Sequence, residues 1–120
     1  MKNKSKSFII PWIIFPFETM VCLGMKQEEV LKVLDKYDLT EEDKEHVVME
    51  GTGRTVIFSG NGTLLWLKEY PDPGSGVLAH ECFHVVFFLL DKIQITIGDT
   101  NDELVAYMLQ YLIDEIYKKM

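Results

Sequence analysis

The stretch VLAHECFHVVFFLL, residues 77–90, places two of the chain's three histidines inside an otherwise apolar run. No proline or glycine interrupts the run, which therefore predicts a helix from about Val77 to Asp91. Because apolar residues occur almost all round this helix, we expect it to be central in the domain. Burial of His80, Glu81 and His84 without partners would be unfavourable, so these side chains need something to bind.

The five residues HECFH, 80–84, follow the pattern H-E-x-x-H. Positions i and i+4 of a helix lie on one face, so His80 and His84 can direct two imidazoles at one metal ion. Glu81 lies between them and can reach a water on that metal without being a ligand. The alternative is a pair of core histidines bonded to the backbone, with no metal and with Glu81 at the surface.

A third zinc ligand is predicted downstream, because catalytic zinc normally takes three protein ligands and one water. Glu103 is the best candidate, since it lies in the first turn of the last predicted helix. The same helical face continues with polar side chains at Tyr107, Gln110 and Asp114.

Glu103 also fits a second role. Residues 100–103 read Thr-Asn-Asp-Glu, which matches the S/T-x-x-E capping box, where the glutamate only satisfies a backbone N–H. In that case Asp99 or Asp102 could replace Glu103 as the ligand. If Asp99 caps the helix instead, Glu103 is free to bind the metal.

The rest of the chain predicts an α+β domain. Two β-rich runs flank Gly60-Asn61-Gly62, which is a strong hairpin signal, and a further strand is predicted over residues 8–22, kinked by its prolines or at a sheet edge. We expect a small antiparallel sheet of about three strands, starting at Phe8, Thr55 and Thr63. This sheet packs on the metal-binding helix and on a long C-terminal helix that starts near Thr100.

Two shorter helical segments are predicted between the first strand and the hairpin. Residues 26–39 have apolar side chains on one side and charges on the other, which is typical of an amphipathic surface helix. In residues 40–51, Thr40 can cap a second helix, and Gly51 or Gly53 can end it. His46 is expected to face solvent there.

Composition limits the class of protein. A length of 120 residues fits one domain, 1–120, with a disordered basic tail over residues 1–7. The net charge of −7 argues against a surface for nucleic acid or for an anionic membrane. Two cysteines are too few for a disulfide framework, and Cys82 is expected to be a buried free thiol.

The N-terminus resembles a secretory signal, because a basic start precedes an apolar stretch. Pro11 and Pro16 interrupt that stretch, which is also too short to span a bilayer. We therefore expect a cytoplasmic protein of a bacterial host, with secretion through an atypical N-terminal signal as the alternative.

HECFH followed by NDELVAY, residues 101–107, resembles the gluzincin group of zinc metallopeptidases. That group carries H-E-x-x-H on one helix and a glutamate ligand on a following helix. The chain is also similar to small phage-encoded H-E-x-x-H proteins with an E-x-x-A-Y-x-x-Q-Y ending. The resemblance covers residues 77–115 closely and the upstream part only in outline.

The resemblance implies a minimal zincin-like domain that binds Zn²⁺ through His80, His84 and Glu103. Glu81 is then the general base, and the reaction is hydrolysis of a peptide or protein substrate by attack of a zinc-bound water. An edge of the hairpin, residues 55–59 or 63–68, could hold the substrate by strand addition.

The chain departs from the gluzincin pattern in two respects. It is far shorter than thermolysin-like enzymes and lacks a second subdomain to enclose a substrate. No downstream histidine can stabilise a transition state, so Tyr107 or Tyr111 would have to serve, although packing is the simpler role for a tyrosine. The alternative is therefore a non-catalytic metal-binding interaction or regulatory domain of the same descent, with a protein partner that completes the cleft.

Overall fold

The computed structural model describes residues 5–13, 15–98 and 101–120. These residues form four strands and four helices, which confirms the predicted α+β class. The elements, in chain order, are β1 (Lys6–Pro11), β2 (Glu18–Leu23), α1 (Gln27–Leu34), α2 (Glu41–Glu45), β3 (Gly53–Ile57), β4 (Gly62–Leu67), α3 (Ser75–Lys92) and α4 (Asp102–Lys119).

The sheet has the strand order β1-β2-β4-β3. The β1–β2 and β3–β4 pairs are antiparallel, and the second is the hairpin predicted from Gly60-Asn61-Gly62. The two central strands, β2 and β4, run parallel, with Val21 opposite Leu65. The sheet is thus mixed and four-stranded, where about three antiparallel strands were predicted.

The extra strand comes from the segment predicted as one strand over residues 8–22. Pro11 ends β1, the chain reverses, and β2 begins after Pro16. The backbone N–H of Trp12 donates to the carbonyl of Phe17 at 3.0 Å across this reversal. Proline cannot donate to a sheet ladder, so two prolines in one run favour two strands over a single kinked one.

The domain has three layers, with the sheet in the middle. One face of β2 and β4 carries Met20, Cys22, Leu64 and Trp66, which form a core with α1. The alternate residues point to the other face and form a larger core with α3 and α4. Both central strands are therefore buried on both faces, which explains their nearly continuous apolar sequences.

Helix α3 is buried on one side only. Its buried residues face the sheet and α4: Leu78, Glu81, Cys82, Val85, Val86, Leu89 and Leu90. On the opposite side Phe83 is 42% exposed and Phe87 is 45% exposed. The prediction that α3 is central is therefore correct for the inner face and wrong for the outer face. None of the helices in the described residues is long and apolar enough to cross a membrane.

The termini of several elements differ from the predicted ones. Residues 1–4 of the predicted tail lie outside the described residues, whereas Lys6 and Ser7 pair with Leu23 and Cys22 in the sheet. Thr40 caps α2 as expected, accepting a hydrogen bond from the N–H of Asp43 at 3.0 Å. Helix α2 is shorter than predicted and ends at Glu45, before exposed His46.

A buried carboxylate connects α2 to the β3–β4 hairpin. Asp43 is 5% exposed and accepts hydrogen bonds from the N–H of Ser59 at 3.0 Å and from its hydroxyl at 2.8 Å. Burial raises the pKa of Asp43, but the hydrogen bonds from Ser59 and Thr40 outweigh this and hold its pKa below the ordinary value. The negative form of Asp43 therefore stabilises the fold.

Asp43→Asn should lower the free energy of unfolding at pH 7 by about 1–3 kcal/mol, because a charged hydrogen-bond acceptor is lost. Because the pKa of Asp43 is lower in the folded state, its contribution is present above about pH 4 and is lost as pH falls through the folded value. Urea unfolding at pH 7 and at pH 3 measures both effects. Exposed Asp72→Asn is the control, and equal losses in the two variants would refute this account of Asp43.

Candidate metal centre

The two imidazoles of the H-E-x-x-H sequence converge on one point in front of α3. His80 Nε2 and His84 Nε2 are 3.2 Å apart, and the ring centroids are 4.8 Å apart. At this separation one ring can donate an N–H to the other, or both rings can direct lone pairs at a single ion. The helical spacing of four residues produces this geometry directly.

The separation of the two nitrogens fits zinc. Zn–N bonds are about 2.0–2.1 Å long, so two nitrogens 3.2 Å apart subtend about 100° at the ion. That angle is close to the tetrahedral angle of about 109° that structural and catalytic zinc sites approach. The distance between the two Nε2 atoms is therefore compatible with both imidazoles binding one Zn²⁺.

Glu81 occupies a different environment from the histidines. It is 7% exposed, and its Oε1 accepts a hydrogen bond from the Thr55 hydroxyl at 2.7 Å. The same hydroxyl lies 3.2 Å from the backbone carbonyl of Glu81. Strand β3 thus fixes both the carboxylate and the helical turn that carries it.

Gly53 makes the close approach of Glu81 to β3 possible. A Cβ at this position would lie 2.9 Å from Glu81 Cγ and 3.1 Å from Glu81 Oε2. Gly53, Thr55 and Ile57 alternate onto the face of β3 that packs against α3. Sequence reasoning did not identify Gly53 or Thr55 as site residues, because their relation to Glu81 depends on the pairing of two distant elements.

Of the three polar side chains that were predicted to be buried in α3, only Glu81 is buried. His80 is exposed and His84 is half-buried, so neither imidazole requires a partner to offset desolvation. Glu81 has a partner within the protein, the Thr55 hydroxyl. The case for a metal therefore depends on the convergence of the two nitrogens and not on buried, unsatisfied polar groups.

Glu103 lies in the first turn of α4, on its exposed side. Among residues 5–13, 15–98 and 101–120, no group of three or more His, Cys, Asp or Glu side chains is placed to hold a metal. Helix α4 has Asn101 at its N-cap, one residue later than the predicted capping box requires. The substitute ligand Asp99 lies outside the described residues, and Asp102 bonds its side chain to the N–H of Glu103 at 2.9 Å.

The two tyrosines predicted as possible transition-state stabilisers have different surroundings. Tyr107 is 65% exposed on the outer side of α4. Tyr111 packs against Trp12, with ring centroids 5.2 Å apart, and its hydroxyl donates to the carbonyl of Pro11. Among the described residues, no hydrogen bond joins either tyrosine hydroxyl to His80 or His84.

Three phenylalanines lie close to the histidine pair in helix α3. His84 stacks on Phe88 with ring centroids 6.2 Å apart, and Phe83 stacks on Phe87 at 6.4 Å. Phe87 also lines a cavity of about 320 Å³ with residues that follow α3. Two other cavities, of about 370 and 480 Å³, lie on the α1 side of the sheet. Neither histidine of the pair lines any of these three cavities.

Both cysteines are buried free thiols, as predicted for Cys82. Burial raises the pKa of Cys22 to about 12. Burial, together with the charge of Glu81, raises the pKa of Cys82 to about 12. Both thiols are therefore protonated near neutral pH and are unsuited to act as metal ligands or nucleophiles.

Comparison with protein-family models, with curated proteins and with solved structures found no match to this chain.

Gly53→Ala should displace Glu81, because the new Cβ would approach its Cγ to 2.9 Å. We expect a loss of about 1–3 kcal/mol in the free energy of unfolding, as for other overpacked sites. Gly60→Ala is a matched control, since a Cβ there meets no atom within 4 Å. Denaturant unfolding of both variants measures the difference, and equal stability of Gly53→Ala and the unmodified chain would contradict this packing.

Proposed function

We propose that this protein is a minimal zinc-dependent metallopeptidase that hydrolyses peptide bonds, with His80 and His84 as zinc ligands and Glu81 as general base. The observation that carries the proposal is the distance of 3.2 Å between the Nε2 atoms of His80 and His84. The next residue after His80 is Glu81, whose carboxylate strand β3 holds in place. Two lone pairs and a fixed carboxylate on one helix turn are the groups that metal-assisted hydrolysis requires.

The chemistry divides between the ion and the protein. Zn²⁺ at the histidine pair would act as a Lewis acid that lowers the pKa of water towards about 7 and polarises a carbonyl. Glu81 would be the group that takes the proton from the attacking water and passes it to the leaving amine. Thr55 donates a hydrogen bond to Oε1 of Glu81 at 2.7 Å and holds the carboxylate against β3, so Glu81 would have to turn from the strand towards the metal to act as the base.

An extended peptide fits this arrangement best along β3. In the part of the chain that the structure describes, strand β3 is at the edge of the sheet and pairs with β4 alone, so its outer edge can add a further strand. The second predicted docking edge, residues 63–68, is wrong, because β4 pairs with β2 on one side and β3 on the other. A peptide on β3 would pass beside Thr55, which contacts Glu81.

We also propose that the protein acts in the cytoplasm of a bacterial host. Cys22 and Cys82 lie on opposite faces of the sheet as free thiols, which suits a reducing compartment. The substrate would then be a cytoplasmic peptide or protein.

A specific observation favours a second candidate function. Phe83 and Phe87 are 42% and 45% exposed beside the histidines, and exposed aromatic side chains often mark sites of protein association. A non-catalytic metal-binding interaction domain would use the same two ligands and would not need Glu81 as a base.

Zinc binding and hydrolysis can be separated by two substitutions. His84→Ala should abolish zinc binding because it removes one of two converging ligands, whereas exposed His46→Ala should leave the metal content unchanged. Glu81→Gln should retain zinc and lower peptide hydrolysis by about 10²–10⁴-fold. Elemental analysis of untagged protein and cleavage of a peptide library measure these effects. Equal cleavage by Glu81→Gln and the unmodified chain would exclude Glu81 as the base.

Glu103 is retained in the proposal as the third ligand. Glu103→Ala should then weaken zinc binding. Loss of a residue that only hydrogen-bonds to a metal ligand typically lowers metal affinity by about 10–100-fold, so loss of a ligand itself should lower it by at least as much. Competition with a chromophoric chelator in dilute protein measures the change, and Glu115→Ala on the same helix is the control. Unchanged zinc affinity would show that Glu103 is not a ligand.

A further inference from the structure

We propose that two copies of the chain pair through the outer face of α3 and hold one Zn²⁺ between them, with His80 and His84 of each copy as the four ligands. The inference rests on the zinc site of the proposed function. It adds a mode of regulation, because the paired form closes the metal site that the single chain leaves open.

One chain leaves the coordination of zinc incomplete. His80 and His84 supply two ligands with a separation that suits zinc, and the residues that the structure describes supply no third side chain in the same group. Zinc sites are almost always four-coordinate when they are structural. Glu103 can complete the set only if the start of α4 approaches the pair, whereas a second copy completes it with this fold unchanged.

The two imidazoles are also accessible to a second chain. The histidine pair lies on the outer face of α3, with His80 exposed and His84 half-buried. A second helix can therefore approach the two nitrogens directly. A two-fold axis through the metal brings the same two nitrogens of the other copy to the remaining tetrahedral positions, which is the self-complementary contact of a symmetric dimer.

The surface beside the histidines also has a shape that suits a second copy of α3. Phe83 and Phe87 stand on the C-terminal part of the outer face, and the N-terminal part carries the small residues Gly76 and Ala79, both exposed. A Cβ at Gly76 would meet no atom within 4 Å, so the space above it is open. If two α3 helices cross antiparallel at the histidines, Phe87 of each copy lies opposite the Gly76 region of the other.

The pairing has a direct consequence for catalysis. Four imidazoles fill all four positions of a tetrahedral ion, and no position is left for water. The dimer is therefore the closed form of the site, and the monomer is the form in which Glu81 can act as a base. Self-association and hydrolysis would compete for the same ion.

Sedimentation and zinc titration of the full-length, untagged chain test the inference. Chelator-treated protein should sediment as a monomer of 13.9 kDa. Added ZnCl₂ should double the mass and saturate at one zinc per two chains, and X-ray absorption at the zinc edge should count four imidazoles per ion. Phe87→Ser should weaken the zinc-dependent dimer by about tenfold or more. Tyr117→Ser, which alters another exposed aromatic residue (55% exposed), should not.

The outcomes separate this inference from the proposed function. A monomer that binds one zinc per chain would overturn the dimer and leave the zinc site intact. A zinc-bridged dimer whose monomeric Phe87→Ser form cleaves no peptide would support the inference and contradict the peptidase proposal. A chain that binds no zinc would overturn both. A dimer that forms equally well in His84→Ala would overturn the zinc-bridged pairing alone and leave the peptidase proposal standing.

Discussion

The contact between Glu81 and strand β3 sets the geometry of the candidate site. The carboxylate is buried against Gly53 and accepts the Thr55 hydroxyl at 2.7 Å, which fixes how α3 is rotated about its own axis. With Glu81 turned towards the strand and Cys82 and Val85 towards the sheet, His80 and His84 have to face outward. The same rotation exposes Phe83 and Phe87. A rotation of α3 by one residue would turn an imidazole towards the sheet and away from the outer face.

This arrangement places the candidate site on the outer face of α3, so its opening faces away from the sheet. The described residues provide two imidazoles, a held carboxylate and an edge strand, but no third side chain grouped with them to hold a metal. A substrate on β3, the first turn of α4 or a second α3 helix would each cover part of the opening. If the protein is a zinc peptidase, as we propose, competition among these three for one ion would control hydrolysis without an additional regulatory element.

Local signals in the sequence predicted much of this structure. The Gly60-Asn61-Gly62 hairpin, the Thr40 cap, the two long helices and the H-E-x-x-H spacing depend on neighbouring residues, and each was predicted at close to its observed position. The parallel β2–β4 pair could not be predicted in this way, because it joins strands separated by two helices and strand β3. The pattern of apolar residues also suggested burial of the whole of α3, since periodicity does not reveal which apolar residues remain exposed. Thr55 and Gly53 were missed for the same reason: their role is evident only when β3 lies against Glu81.

The most direct test of a metal at this position is anomalous diffraction at the zinc edge from crystals of the untagged protein grown with one equivalent of ZnCl₂. The account predicts one peak about 2.0–2.1 Å from both His80 Nε2 and His84 Nε2, with Glu81 still bonded to Thr55. An absence of density between the two imidazoles, with one ring donating its N–H to the other, would contradict it.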